Sequence, residues 1–121
     1  MVRYFFDSYA VIEMIDGNPN YAKYAQMPIV ITLFNLAEIY SFCLREYGES
    51  RCNKTFAFLK PCVVEVDDET LKQAMKFRNK EKSKRLSYAD CIGYIYALRK
   101  KLVFLTGDKQ FKNMKGVQFV K

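Results

Sequence analysis

Four acidic residues, Asp7, Glu38, Asp90 and Asp108, carry the chemistry open to this sequence. Each lies in or beside an apolar run: "FFDSYAVI", "TLFNLAEIY", "LSYADCIGYIYAL" and "VFLTGDKQF". A carboxylate among apolar neighbours must be solvated, hydrogen-bonded or paired with a cation, because burying it alone costs several kcal/mol. Crowded together without a cation, such acids repel one another and some take up protons. Carboxylates and waters with no nitrogen or sulfur ligands suit Mg²⁺ or Mn²⁺. Such an ion lowers the pKa of a bound water, orients it toward a phosphodiester and stabilises the leaving oxygen. Acids, cation and a basic surface together suggest a nuclease.

Whether the four acids meet depends on the elements that carry them. Val2–Phe6 reads as a buried strand ending at Asp7, and Ser8–Ile15 has helical apolar spacing with Ser8 available as N-cap. After the turn cluster "DGNPN" come a short helix over Tyr21–Gln26, a second strand over Pro28–Thr32, and a helix over Leu33–Tyr47 stopped by Gly48. Ser50–Leu59 predicts another helix and Cys62–Val66 a third strand. Asp67-Asp68-Glu69 opens a helix running to about Asn79, with negative charge where the helix dipole favours it. "NKEKSKR" is a polar connection, Ser87 caps the helix of Asp90, and Leu102–Leu105 is a fourth strand running into Thr106-Gly107-Asp108. A short helix and Val117–Val120 complete the pattern. Strands apolar on both faces, alternating with helices, indicate an α/β fold with a mostly parallel sheet.

In right-handed βαβ units, strand C-termini and helix N-termini share one edge of the sheet, where ligands bind. Asp7, Glu38, Asp90 and Asp108 are all expected on that edge. Helix capping or a turn can account for Asp7, Asp90 or Asp108 singly, and Glu38 can be an ordinary helical acid. Those roles do not predict convergence. The helix of Glu38 is apolar almost all round, which predicts burial on most sides. Gly93 and Ala97, three and seven residues after Asp90, form a small-residue stripe that admits close packing beside the acid.

Composition sets the bounds. The 121 residues suit one domain spanning 1–121, and a hydrophobic share of 50% argues against a disordered chain. Histidine is absent and the four cysteines form no Cys-x-x-Cys pair, which argues against zinc and for reduced, structural thiols. No signal pattern opens the chain and no apolar run approaches the roughly 20 residues of a membrane span, so a soluble cytoplasmic protein is expected. The net charge is +7, unevenly spread: residues 1–71 hold six Lys and Arg against ten Asp and Glu, residues 72–121 fourteen against three. Such a basic half fits a polyanionic partner, or equally a solvated face that keeps the protein soluble.

The four motifs quoted above, in this order and spacing, resemble the PIN-domain family, and within it the small ribonuclease toxins of the VapC type. The resemblance spans almost the whole chain. It implies a three-layer sandwich around a five-stranded, mostly parallel sheet of order about 3-2-1-4-5, which sets Asp7 beside Asp108. It implies a metal-dependent endoribonuclease in which Asp7, Asp90 and Asp108 hold Mg²⁺ or Mn²⁺, directly or through water. Glu38 then completes the site and helps position the attacking water, and Ser8 and Thr106 orient carboxylates. Lys80, Lys82, Lys84, Arg85 and Lys109 are candidates for phosphate contacts. An RNA substrate, a homodimer and an antitoxin partner are implied as well. Tyr9, Cys91 and Gly93 depart from residues common in the family, and Tyr9 is placed to narrow substrate access. Two other uses of the fold stay open: a non-catalytic RNA- or protein-binding module, and an RNA-processing nuclease outside a toxin system. A phosphoryl-transfer receiver, suggested by Asp67 and Asp68, lacks the acidic pair it needs after the first strand.

Overall fold

The computed structural model describes residues 2–121. Its elements follow in the order β1 (Tyr4–Phe6), α1 (Ser8–Ile15), a 3₁₀ helix (Pro19–Gln26), β2 (Ile31–Thr32), α2 (Leu33–Tyr47), α3 (Glu49–Leu59) and a 3₁₀ turn (Lys60–Cys62). Then come β3 (Val63–Val64), α4 (Asp68–Lys80), α5 (Tyr88–Lys100), β4 (Val103–Thr106), a 3₁₀ turn (Lys109–Phe111) and β5 (Val117–Phe119). All strand pairs are parallel: β4 lies between β1 and β5, and β2 pairs with β3. The two ladders are stitched by a backbone bond from Phe6 N–H to the Val30 carbonyl at 2.9 Å, which completes the expected order 3-2-1-4-5.

Strand alternation builds two cores, one on each face of the sheet. Phe5 and Phe104 point toward α4 and α5, where they meet Ile92, Tyr96 and Phe111. Phe6 and Leu105 point the other way, toward Val11, Leu36 and Ile39 of α1 and α2. Gly93 is what allows α5 to lie so low: a Cβ there would stand 2.7 Å from Phe5 Cε1. Ala97, one turn on, is fully buried.

Three expectations change. Strands β2 and β3 are two residues each, and the expected single sheet divides into a three-stranded and a two-stranded ladder. The Thr32 N–H donates to Asn35 Oδ1 instead of crossing to β1, and among the described residues the Phe6–Val30 bond is the one backbone link between the two parts. Asp7, not Ser8, is the N-cap of α1, its side chain accepting the Ser8 N–H. Helix α2 is not buried on most sides: Asn35, Leu36, Ile39 and Cys43 form its buried stripe, while Leu33 is 58% exposed and Phe34 and Leu44 each 43%. One face of the helix meets the core, and no layer covers the other. Cys43, Cys52 and Cys91 are buried and Cys62 half-buried, all as free thiols. Among the described residues no helix is long and apolar enough to cross a membrane.

Candidate active site

Asp7 follows the last residue of β1, and its N–H bonds the Leu105 carbonyl on β4 at 3.0 Å. That register carries Thr106 alongside, and Thr106 Oγ1 donates to Asp7 Oδ2 at 2.7 Å. The same hydroxyl oxygen accepts the N–H of Asp108 at 3.0 Å, so one threonine ties both aspartates to the end of β4. Asp108 in turn accepts the Gln110 N–H at 3.0 Å and caps the 109–111 turn.

The other two acids share a second set of hydroxyls. Ser8 Oγ donates to Glu38 Oε1 at 2.6 Å, and Ser87 Oγ donates to Glu38 Oε2 at 3.3 Å. Ser87 and Asp90 form the capping box of α5, the Ser87 N–H bonding Asp90 Oδ2 at 2.8 Å and the Asp90 N–H bonding Ser87 Oγ at 3.0 Å. Asp7, Glu38, Asp90 and Asp108 thus line one open cleft of about 600 Å³, with Ser8, Tyr9, Ile12, Ala37, Ser41, Phe42 and Arg45 forming its walls.

Electrostatically the cleft is under strain. Burial pushes the Asp7 carboxyl, 2% exposed, up to about 8; the neighbouring charges of Asp90 and Glu38 push the same way, against the Thr106 and Ser8 bonds. Burial also lifts Asp90 to about 6, with Glu38 and Asp108 adding repulsion that the Ser87 bonds oppose. A neighbouring cation favours the ionised form of both groups. The donors are carboxylates and hydroxyls, a set that fits a hard divalent ion. Among the described residues no group of three or more Asp, Glu or Cys side chains is gathered tightly enough to hold a metal by itself.

The basic residues expected at the site are not part of the cleft lining. Lys80, Lys82, Arg85 and Lys109 are exposed and outside the cleft lining. Lys84 Nζ donates to the Gln110 carbonyl at 3.1 Å and Arg85 N–H to Gln110 Oε1 at 2.6 Å, which docks this connection beside the turn that Asp108 caps. Tyr9 lines the cleft as expected, and Gly107 is the residue that makes room for it: a side chain there would strike the Tyr9 ring and the Val120 carbonyl. Tyr24 is buried and Tyr4 half-buried in the core. Asp67 and Asp68 are exposed and stand outside the cleft lining.

Three participants were not singled out from sequence. Arg45 and Ser41 line the cleft, joined by a 3.0 Å bond from Arg45 Nη1 to Ser41 Oγ. Ser41 lies three and Arg45 seven residues after Glu38, the spacing that puts side chains on one helix face. Asn35 is fully buried and donates to Ser8 Oγ at 3.0 Å. The pattern Thr32-x-x-Asn35 announces it as one end of a capping box, which the structure contains.

Comparison with solved structures gives the same architecture at low identity. The Mycobacterium tuberculosis toxin VapC20, described as cleaving the sarcin–ricin loop, superposes with a TM-score of 0.80 at 16% identity over 98% of this chain and 99% of that one. A toxin–antitoxin complex from Klebsiella pneumoniae gives a TM-score of 0.73 at 19% identity, covering 95% of both chains. VapBC-1 from nontypeable Haemophilus influenzae gives 0.70 at 16%, covering 98% of this chain and 96% of that one. No curated protein matches the sequence. The sequence model of the PIN domain matches residues 4–117, and the chain belongs to the PIN-domain family.

Proposed function

We propose that this protein is a divalent-metal-dependent endoribonuclease that cleaves RNA phosphodiester bonds, and the toxin of a toxin–antitoxin pair. The observation that carries the reading is the meeting of Asp7, Glu38, Asp90 and Asp108 on one cleft, where burial and mutual repulsion drive Asp7 and Asp90 toward their neutral forms. Asp7, Asp90 and Asp108 hold Mg²⁺ or Mn²⁺, directly or through water, and Glu38 completes the set. Bound there, the ion supplies an activated water and charge stabilisation at the phosphoryl oxygens. Thr106 fixes the Asp7 carboxyl, and Ser8 and Ser87 fix both oxygens of Glu38. Arg45, two turns beyond Glu38 on α2, offers a planar donor to a phosphate, and Lys80, Lys82, Lys84, Arg85 and Lys109 attract the RNA backbone. In Mg²⁺, purified protein cuts single-stranded RNA, and Asp7→Asn or Asp90→Asn ends the cleavage while the fold survives. Undiminished cleavage by either variant overturns the assignment.

The kinship with toxin–antitoxin complexes supports an antitoxin partner, as do the exposed Leu33, Phe34, Leu44, Phe56 and Phe58, apolar surface suited to a protein contact. A homodimer is the expected state, read by light scattering. A non-catalytic binding module draws on a different observation: Asp7, Asp90 and Asp108 each accept a backbone N–H. Thermal stabilisation by Mn²⁺ separates the two, since caps alone give none. An RNA-processing nuclease keeps the dependence on Asp7 but lacks an antitoxin.

A further inference from the structure

Asn35 is a buried polar side chain for which the proposed chemistry has no use. Its amide has one possible orientation. The Thr32 N–H can only donate, and it points at Asn35 at 2.9 Å, so the atom facing it is Oδ1, which also accepts from Thr32 Oγ1 at 2.8 Å. Nδ2 must then face Ser8, and it donates to Ser8 Oγ at 3.0 Å. A serine hydroxyl has a single proton. With its oxygen accepting from Asn35, Ser8 directs that proton to Glu38 Oε1, the 2.6 Å bond. The second serine is set in the same way: the Asp90 N–H donates to Ser87 Oγ, leaving the Ser87 proton for Glu38 Oε2.

We infer that Asn35 is a positioning residue for the acidic site: through Ser8, its amide aims a hydroxyl donor at Glu38 and holds that carboxylate in its place on the cleft. This rests on the nuclease reading for its consequence in catalysis, but not for the hydrogen-bond relay itself. Helix capping does not require the second half of the arrangement. The Thr32–Asn35 box is complete with Oδ1 alone, so the Nδ2 bond to Ser8 is additional to it.

Asn35→Leu, similar in size and uncharged, removes the donor together with the cap; Thr32→Ala weakens the cap but leaves the Thr32 N–H to hold the amide. Ser8→Ala breaks the relay at its middle. In metal-free protein, the Glu38 Cδ resonance shifts in Asn35→Leu and Ser8→Ala and stays in place in Thr32→Ala. Mn²⁺ affinity and kcat on RNA fall about 10- to 100-fold in Asn35→Leu and Ser8→Ala, the usual range for supporting partners of metal ligands, with KM little changed. Combining Asn35→Leu with Ser8→Ala adds little to Ser8→Ala, because the two act through one bond. If Asn35→Leu does not fold, Ser8→Ala alone reports: the Asn35 side-chain amide protons, protected in the wild type, then exchange freely. An unmoved Glu38 resonance, fully additive losses, or an unprotected wild-type amide overturns the inference. A relay that passes these tests in a protein that neither binds Mn²⁺ nor cuts RNA leaves Asn35 as assigned and removes the nuclease reading instead.

Discussion

Asp7 and Asp67 occupy the same place in two different strand-to-helix junctions, each capping the helix that follows. The Asp67 side chain, itself exposed, accepts the Thr70 N–H at 2.8 Å, and bonds to Thr70 hold its carboxyl below the ordinary range. Asp7 accepts a backbone N–H and a threonine hydroxyl as well, yet burial and the charges of Asp90 and Glu38 carry it up to about 8. The clefts beside them differ in the same way. The one along β3 is the larger, about 690 Å³, but sets Glu65 and Asp67 against Lys60 and Lys100. The one at β1 is about 600 Å³ and gathers four acids with Arg45 the one base in its lining. Capping therefore explains Asp67 completely and Asp7 only in part. Volume does not distinguish the two junctions; like charges brought together under burial do.

The largest expected difference between the two junctions is in catalysis. Asp7→Asn lowers the RNA cleavage rate at least about 100-fold, as loss of a metal-binding carboxylate should, whereas Asp67→Asn leaves it unchanged. A single-turnover assay in Mg²⁺ on both variants reads this directly. Equal losses would dissolve the distinction between the junctions.

Stability against pH gives the next largest difference. Because the folded pKa of Asp7 is raised, folded protein keeps a proton that the unfolded chain releases above the ordinary carboxylate range, here 3.8. Metal-free stability therefore falls as pH rises from about 4 toward about 8, at up to about 1.4 kcal/mol per pH unit. Asp90, raised to about 6, steepens the lower part of that fall. Asp7→Asn flattens the slope, so its stability relative to wild type rises steadily with pH across that range, measurable by urea unfolding. Asp67, with a lowered pKa, acts in the opposite sense: its contribution is present above the ordinary range and is lost as pH falls through the folded value.

Smaller effects sharpen the picture of the site. Ser87→Ala removes a donor to Glu38 and half of the α5 capping box, so Mn²⁺ affinity drops roughly 10-fold and Tm falls by a few degrees. Lys109→Ala raises KM for RNA a few-fold, leaves kcat in place and lowers the salt slope of binding by about one unit, as loss of one phosphate contact requires.

Much of this was legible in the chain because the signals are local. Gly48 ends α2, Ser87-x-x-Asp90 starts α5, and apolar strands before Asp7 and Asp108 place both acids on one sheet edge. The convergence of the four acids follows from βαβ handedness and needs no side-chain detail. What stayed hidden depends on three-dimensional neighbours. The apolar circumference of α2 looks the same in sequence whether a layer covers it or not, so burial on most sides is expected while Leu33, Phe34 and Leu44 stand exposed. Strand length in β2 and β3 depends on pairing partners, and Thr32 joins the strand while also capping the next helix. The links from Ser8 and Ser87 to Glu38 span 30 and 49 residues of sequence, beyond any local pattern.

The most direct test is Mn²⁺ titration by calorimetry at pH 7 in buffers of differing ionisation enthalpy. A cation that takes the place of the proton on Asp7 must release it: wild-type protein is expected to bind Mn²⁺ with release of about one proton, and Asp7→Asn to bind far more weakly and release none. Binding without proton release, or equal binding by the variant, would contradict a metal centre built on the buried carboxylate.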